Sequence, residues 1–342
     1  MGPPGHTPRF TAYTSRLPQG TEAFVFAQYA CQARTARAAA RGAAALGESF
    51  VGAHGPDVLD RGSFVDVAGA HNVVWMAYWV DPDAYDRWQR SESAHTAWEQ
   101  LPTHGPLGHW REVCVIPAER TESLHTHRRE LCATSGLSQH EAVELAETRL
   151  HDYWGAARDR IPTPSIDGPE PSIAAVAPQP AHDAPGPGGR VSVTVPGEVA
   201  LIRTAQDWSE STLYRETYLT EVKPVKDRGV DYLAATPQSG CIAARNIAEE
   251  TADGSLLQRA CTVAWFTSLG HLMAWCREHR THLEIYESFF RMVGGGKGPL
   301  DIAFWHEVSV LPSGAVTAEY INCHVRTGFL PLATQQAPDT VR

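Results

Sequence analysis

The chain has 342 residues and a formal net charge of −10, with no block of like charges, which argues against nucleic acid or an anionic membrane as the main partner. No apolar run approaches the roughly 18 residues a membrane helix needs, and Met1 to Arg9, with three prolines, lacks the apolar centre of a signal peptide. A soluble, cytoplasmic protein is expected, with either one large core or two ordinary ones.

The seven cysteines (31, 114, 132, 241, 261, 276 and 323) are odd in number and scattered, with no C-x-x-C pair. They read as reduced, mostly buried thiols rather than a disulfide frame or a zinc site, and C-x-x-C-H attachment of a c-type haem is excluded. Ten tryptophans and sixteen histidines supply what a noncovalent haem pocket uses, and equally what a big core with surface histidines uses.

Residues 1–20 are rich in Pro and Gly and read as an arm. Glu22 to Tyr29 alternates as a strand, and the alanine-rich run from Cys31 to Leu46 favours a helix. Strands follow at Ser63 to Val67 and Asn72 to Val80. Asp81-Pro82-Asp83 starts a helix with an acidic cap and Pro in its first turn, running toward Gln100. The Trp110 strand completes the order strand, helix, strand, strand, helix, strand, which is the ferredoxin-like pattern. Residues 162–190 collapse into Pro, Ala and Gly and read as a connection. Beyond it the order recurs: a strand at Glu198 to Thr204, helix from Trp208 to Leu233, strands at Cys241 to Asn246 and Gln258 to Phe266 around a turn at Asp253-Gly254, a long helix from Leu269, and the Trp305 strand.

The chain contains one frame twice. Trp110-Arg111-Glu112-Val113-Cys114-Val115-Ile116-Pro117 matches Trp305-His306-Glu307-Val308-Ser309-Val310-Leu311-Pro312, with Arg111 where the second copy has His306. Trp88 likewise falls on Trp275 and His95 on His282, and the excess length of the second copy lies in Gly294 to Pro299, a loop extension. The expected fold is α+β: two ferredoxin-like repeats, residues 21–161 and 191–332, forming an α+β barrel with flanking helices, and a C-terminal tail at 333–342. A fold does not fix a function.

His279 and His282 lie in or beside the apolar stripe of a helix, where periodicity alone reads them as packed histidines rather than metal ligands. His306 and Glu307 alternate on a strand, so they face opposite ways and cannot form a simple acid pair.

Arg280-Thr281-His282-Leu283, the strand Trp305-His306-Glu307-Val308-Ser309-Val310, and Glu319-Tyr320-Ile321-Asn322-Cys323-His324 followed by Arg326-Thr327-Gly328 resemble the haem-containing aldoxime dehydratases. The similarity extends to Tyr78-Trp79, Trp88, Tyr153-Trp154-Gly155, Ala200-Leu201-Ile202-Arg203 and Gln206-Asp207-Trp208, and so covers most of the chain. The resemblance implies dehydration of aldoximes, R-CH=N-OH, to nitriles with ferrous haem b. It implies His282 as proximal iron ligand, although Arg280 stands where the family motif has proline; a proline there would break the helix ahead of His282. It further implies His306 as distal acid and base, Arg160 as distal arginine and Glu122 as accessory glutamate. Thr204 stands where the family has a serine that hydrogen-bonds the oxime hydroxyl; it keeps the hydroxyl but adds a methyl, which puts substrate choice in question. A homodimer is expected. Two other readings remain: a haem enzyme acting on another N–O substrate or a peroxide, and a non-catalytic haem sensor.

Overall fold

The computed structural model describes residues 3–128, 134–163, 173 and 186–336. Most of the Pro/Gly/Ala connection lies outside the described residues, as does Cys132.

The first unit opens with β2 (Ala23–Ala33), which is longer than its alternation suggests, so Cys31 is a strand residue rather than the start of the helix. The helix α1 (Ala36–Glu48) begins at Thr35, whose side chain accepts from the Ala38 amide. Then come β3 (Val58–Val65), β4 (His71–Trp79), α2 (Pro82–Gln89), α3 (Glu92–Glu99) and β5 (Leu107–Pro117). The single helix expected from Asp81 is two, because Ser91 caps a fresh N-terminus by accepting from the Ala94 amide.

The second unit repeats the order. It has β9 (Val199–Asp207), a π-helical turn at Tyr218–Val222 running into α5 (Lys223–Ala235), β10 (Cys241–Glu250) and β11 (Leu256–Phe266). Next are α6 (Leu269–Glu278), α7 (Arg280–Gly294) and β12 (Ala303–Leu311). The long helix expected from Leu269 breaks at His279, whose backbone is extended and whose ring accepts from the Thr281 amide. The break needs no proline.

Further strands flank these units: β1 (Ala12–Arg16), β6 (Thr121–His125), β7 (Glu144–Thr148), β8 (Arg190–Thr194) and β13 (Val316–Ile321). So the N-terminal arm is not wholly outside the fold, since β1 pairs with β7, and α8 (Leu330–Gln336) extends into the expected tail. Among the described residues the strands form a 13-stranded antiparallel sheet in the order β7-β1-β6-β12-β9-β11-β10-β3-β4-β2-β5-β13-β8. Its two inner blocks, β12-β9-β11-β10 and β5-β2-β4-β3, share one internal order, and they meet where β10 pairs with β3.

One face of the sheet closes on itself. Buried Arg203 on β9 donates to Asp60 on β3 and to the Tyr78 hydroxyl on β4, and Tyr78 donates to Glu307 on β12 at 2.6 Å. Arg245 on β10 pairs with Glu112 on β5. Each of these buried guanidiniums has an opposite charge beside it; removing one partner of such a pair typically costs about 3–5 kcal/mol. The other face is covered by helices. Under α1 to α3 it is packed with Tyr29, Phe50, Trp75, Trp79, Trp88 and Trp98, aromatics that each bury on the order of 150–250 Å². Among the described residues six cysteines are free thiols, and burial pushes Cys31 up to about 12.

Candidate active site

The period-two alternation of β12 decides which side chains meet. His306 is the Cα partner of Thr204 on β9 and of Leu124 on β6, and Val308 is the partner of Glu122. Directly paired residues and those two apart share a face, so Glu122, Leu124, Thr204, Gln206, Phe304 and His306 rise from one side of the sheet. Glu307, between them, points to the closed side, with Tyr78 and the Leu137 amide.

Arg160 completes the cluster from α4 (Ala156–Arg160), a short helix entered through Gly155 at a φ of 96°. Its Nε donates to Glu122 Oε2 at 2.6 Å, its Nη1 to the Leu150 carbonyl, and its Nη2 lies 3.0 Å from His306 Nε2. The second carboxylate oxygen, Glu122 Oε1, is 3.2 Å from the same ring nitrogen. Burial pushes the Glu122 carboxyl up, but the neighbouring Arg160 and His306 outweigh it and hold the group below its ordinary value. The Glu122 side chain is fully buried and that of Arg160 is 3% exposed, whereas His306 keeps 29%, so a substrate reaches the histidine and not the pair behind it.

Glu122 Oε1 has no hydrogen-bond donor among the described residues. A buried acceptor without a donor is costly, and a proton on His306 Nε2 would supply one. In the tautomer without a proton on Nε2, that nitrogen can instead accept from Arg160. Nδ1 of His306 makes no hydrogen bond among the described residues, which leaves it for a substrate. Thr204, beside it, accepts from Gln206 Nε2 at 3.0 Å.

His282 lies in the first turn of α7. Its ring packs edge-on against Trp275, with centroids 4.8 Å apart, and near Trp154, at 6.3 Å. Phe289 is seven residues on, two turns along the same face, and meets Phe304 of β12 at 5.1 Å. The His282 face of α7 thus turns toward the side of the sheet that bears His306. Burial pushes the His282 imidazole down to about 4, against a smaller opposing effect of the Cys276 backbone. It is neutral at pH 7, with a lone pair to give.

Two other histidines, His279 and His324, are committed elsewhere. His279 caps α7 and stacks on Tyr232 with centroids 4.2 Å apart, and buried His324 lies 3.0 Å from Asp66. His282 Nδ1, by contrast, is buried without a hydrogen-bond partner, on a ring that stays partly accessible. His109, His125 and His151 also have an orphaned Nδ1, but each is buried to within 2% and offers no approach.

Of the five residues expected from sequence, the structure brings His306, Arg160, Glu122 and Thr204 together and sets His282 on the covering helix. Sequence reasoning assigned no role to Gln206, Tyr218 or Phe304. For Gln206 and Phe304 the signal was available, since each lies two residues from a site residue on its strand; for Tyr218 it was not.

The haem-containing dehydratase family matches residues 23–329, and the chain belongs to that family. It is 33% identical over 333 residues to the phenylacetaldoxime dehydratase of Bacillus sp. (strain OxB-1), covering 96% of this chain and 93% of that protein. It is also 33% identical over 336 residues to an aliphatic aldoxime dehydratase of Pseudomonas sp, covering 96% and 92%. A crystal structure of an aldoxime dehydratase in complex with butyraldoxime superposes with a TM-score of 0.85 at 30% identity, covering 96% of this chain and 91% of that one.

The residues fit a haem. A neutral, partly accessible imidazole whose lone pair is taken by no side chain among the described residues is suited to ligate iron, and Trp154 and Trp275 beside it provide flat apolar surface.

Proposed function

We propose that this enzyme dehydrates aldoximes to nitriles, with haem b held by His282 and the chemistry performed by His306, Arg160, Glu122 and Thr204. The observation that carries the reading is the Arg160–Glu122–His306 cluster beside Thr204, on the sheet face that the His282 helix covers, in a chain of the haem-containing dehydratases. Haem held by His282 would, in its ferrous state, supply electron density to the oxime nitrogen and so weaken the N–O bond.

His306 enters the reaction protonated, its Nε2–H held by Glu122 Oε1. It gives the proton on Nδ1 to the departing hydroxyl, which leaves as water; the bare Nδ1 then takes the proton from the oxime carbon, and the imidazolium is restored. One nitrogen does both transfers, so protons balance without an outside acid. Glu122, kept anionic by Arg160, stabilises the imidazolium. Thr204 donates to the oxime oxygen and orients it.

We further infer that residues 21–161 and 191–332 are two ferredoxin-like halves of one α+β barrel; their shared internal strand order supports this. A cytoplasmic homodimer is proposed as well. No helix among the described residues is long and apolar enough to cross a membrane. The mass in solution by light scattering tests the dimer.

The decisive test is nitrile formation from a panel of aliphatic and aryl oximes under anaerobic reducing conditions, with hydrogen peroxide as a control substrate. Reduced protein is expected to make nitrile and air-oxidised protein none. Equal rates in both states would remove the ferrous reading, and turnover of peroxide alone would replace the oxime reading.

A further inference from the structure

Gln206 lies two residues beyond Thr204 on β9, and period two puts both side chains on the face of His306. The Gln206 side chain bridges two hydroxyls: Nε2 is 3.0 Å from Thr204 Oγ1, and Oε1 is 3.2 Å from the Tyr218 hydroxyl. Tyr218 begins the π-helical turn, a local widening of the helix often found at functional sites, and is 1% exposed against Trp208 and Phe304.

The direction of this chain follows from its far end. A phenol has one proton, and that of Tyr218 has no acceptor but Gln206 among the described residues. Burial pushes the phenol up, with the Asp227 carboxylate adding to the effect, so it keeps its proton across the working pH range. A buried donor left unpaired is costly, so Tyr218 donates to the amide oxygen. The amide nitrogen therefore faces Thr204, and its N–H occupies the Thr204 oxygen as donor. The Thr204 proton, which has no acceptor among the described residues, is left to point away from Gln206, into the space before His306.

We propose that Gln206, locked by Tyr218, is a positioning residue that fixes Thr204 as a hydrogen-bond donor toward the oxime oxygen. This rests on the reading that Thr204 touches the oxime hydroxyl. Oxygen gains negative charge as the N–O bond breaks, so a donor held in that direction counts for more in the transition state than in the bound ground state. Were the amide reversed, Thr204 would spend its proton on Gln206 and could only accept.

The experiment compares the holoenzymes of Gln206→Glu, Thr204→Val, the double variant and Tyr218→Phe. The introduced carboxylate accepts the Thr204 proton and so removes the donor. Gln206→Glu is expected to lower kcat by about 10- to 100-fold, the worth of one hydrogen bond to a developing charge. Oxime affinity, read by absorbance titration of the oxidised holoenzyme, should stay within about threefold. Thr204→Val should lose a similar factor, and the double variant no more than Thr204→Val alone, because both changes delete one donor. Tyr218→Phe frees the amide to turn and should lose about 3- to 10-fold in kcat, again without further loss in the Thr204→Val background. That second pair decides the matter if the carboxylate variant fails to retain haem. Wild-type kcat in both Gln206→Glu and Tyr218→Phe, or losses that multiply with Thr204→Val, would overturn the positioning role. An unchanged kcat in Thr204→Val would instead sink the placement of Thr204 on the oxime, and this inference with it.

Discussion

Thr204 and His306 are directly paired across β9 and β12, 102 residues apart in sequence by their numbers, so a hydroxyl and an imidazole stand side by side on one sheet face. Neither depends on a loop for its direction. The pair is carried by ladder hydrogen bonds on both sides of β12, since β6 pairs with the other edge.

His306→Ala should bind oxime and scarcely convert it. Losing a general acid from a poor leaving group costs on the order of 10²–10⁴ in rate, and more where the same ring takes the second proton. Single-turnover nitrile formation measures this; a variant within about tenfold of wild type would end the acid and base assignment.

Haem retention separates the histidines. His282→Ala should lose the haem, whereas His279→Ala should keep its spectrum and lose about 1 kcal/mol of stability with the cap of α7. His324→Ala should also keep the haem spectrum, since His324 is engaged with Asp66. A His282→Ala protein with a normal haem spectrum would show that the proximal ligand lies elsewhere.

Thr204→Ser deletes one methyl and keeps the donor. Activity should survive with a shift of roughly 1–3 kcal/mol in discrimination between small and bulky oximes. Rates on two oximes differing only in side-chain size give the answer, and an unchanged preference would mean that Thr204 does not line the substrate space.

Glu122→Gln should weaken folding at neutral pH by about 1.5–3 kcal/mol, because Arg160 then meets an uncharged acceptor. The carboxyl of Glu122 is held below its ordinary value in the folded protein, so its contribution is present above the unfolded value near ~4.3 and is lost as pH falls through the folded value. The stability gap between wild type and variant should therefore close on acidification below about pH 4.3. Urea denaturation from neutral to acid pH reads it; a gap that widens toward acid would contradict the ion pair.

The doubled Trp-x-Glu-Val frame also marks where the halves diverge. In the first unit Arg111 is the Cα partner of Tyr29 on β2 and of Glu319 on β13, which mirrors His306 between Thr204 on β9 and Leu124 on β6. There the guanidinium lies 4.6 Å over Trp98 and pairs with Glu319 at 2.9 Å. The repeat kept the strand and its register, while aromatic packing under α2 and α3 took the space that the second unit leaves to His306.

Local pattern was enough for much of this. Alternation put His306 and Glu307 on opposite faces, the Asp81-Pro82 signal placed a helix start, and the two copies of one frame fell on β5 and β12, which hold matching places in the strand order, because each depends on residues within a few positions of one another. Sequence did not reveal the break at His279 without its proline, the strand in the N-terminal arm or the π-helical turn, where capping and tertiary packing override propensity. Nor could it join Arg160 to His306, 146 residues apart, or Tyr78 to Glu307, 229 apart. Those contacts carry no local signature. Only closing the sheet brings their elements together, and the polarity that results, a saturated Glu307 on one face and an unfilled Glu122 oxygen on the other, belongs to the tertiary structure alone.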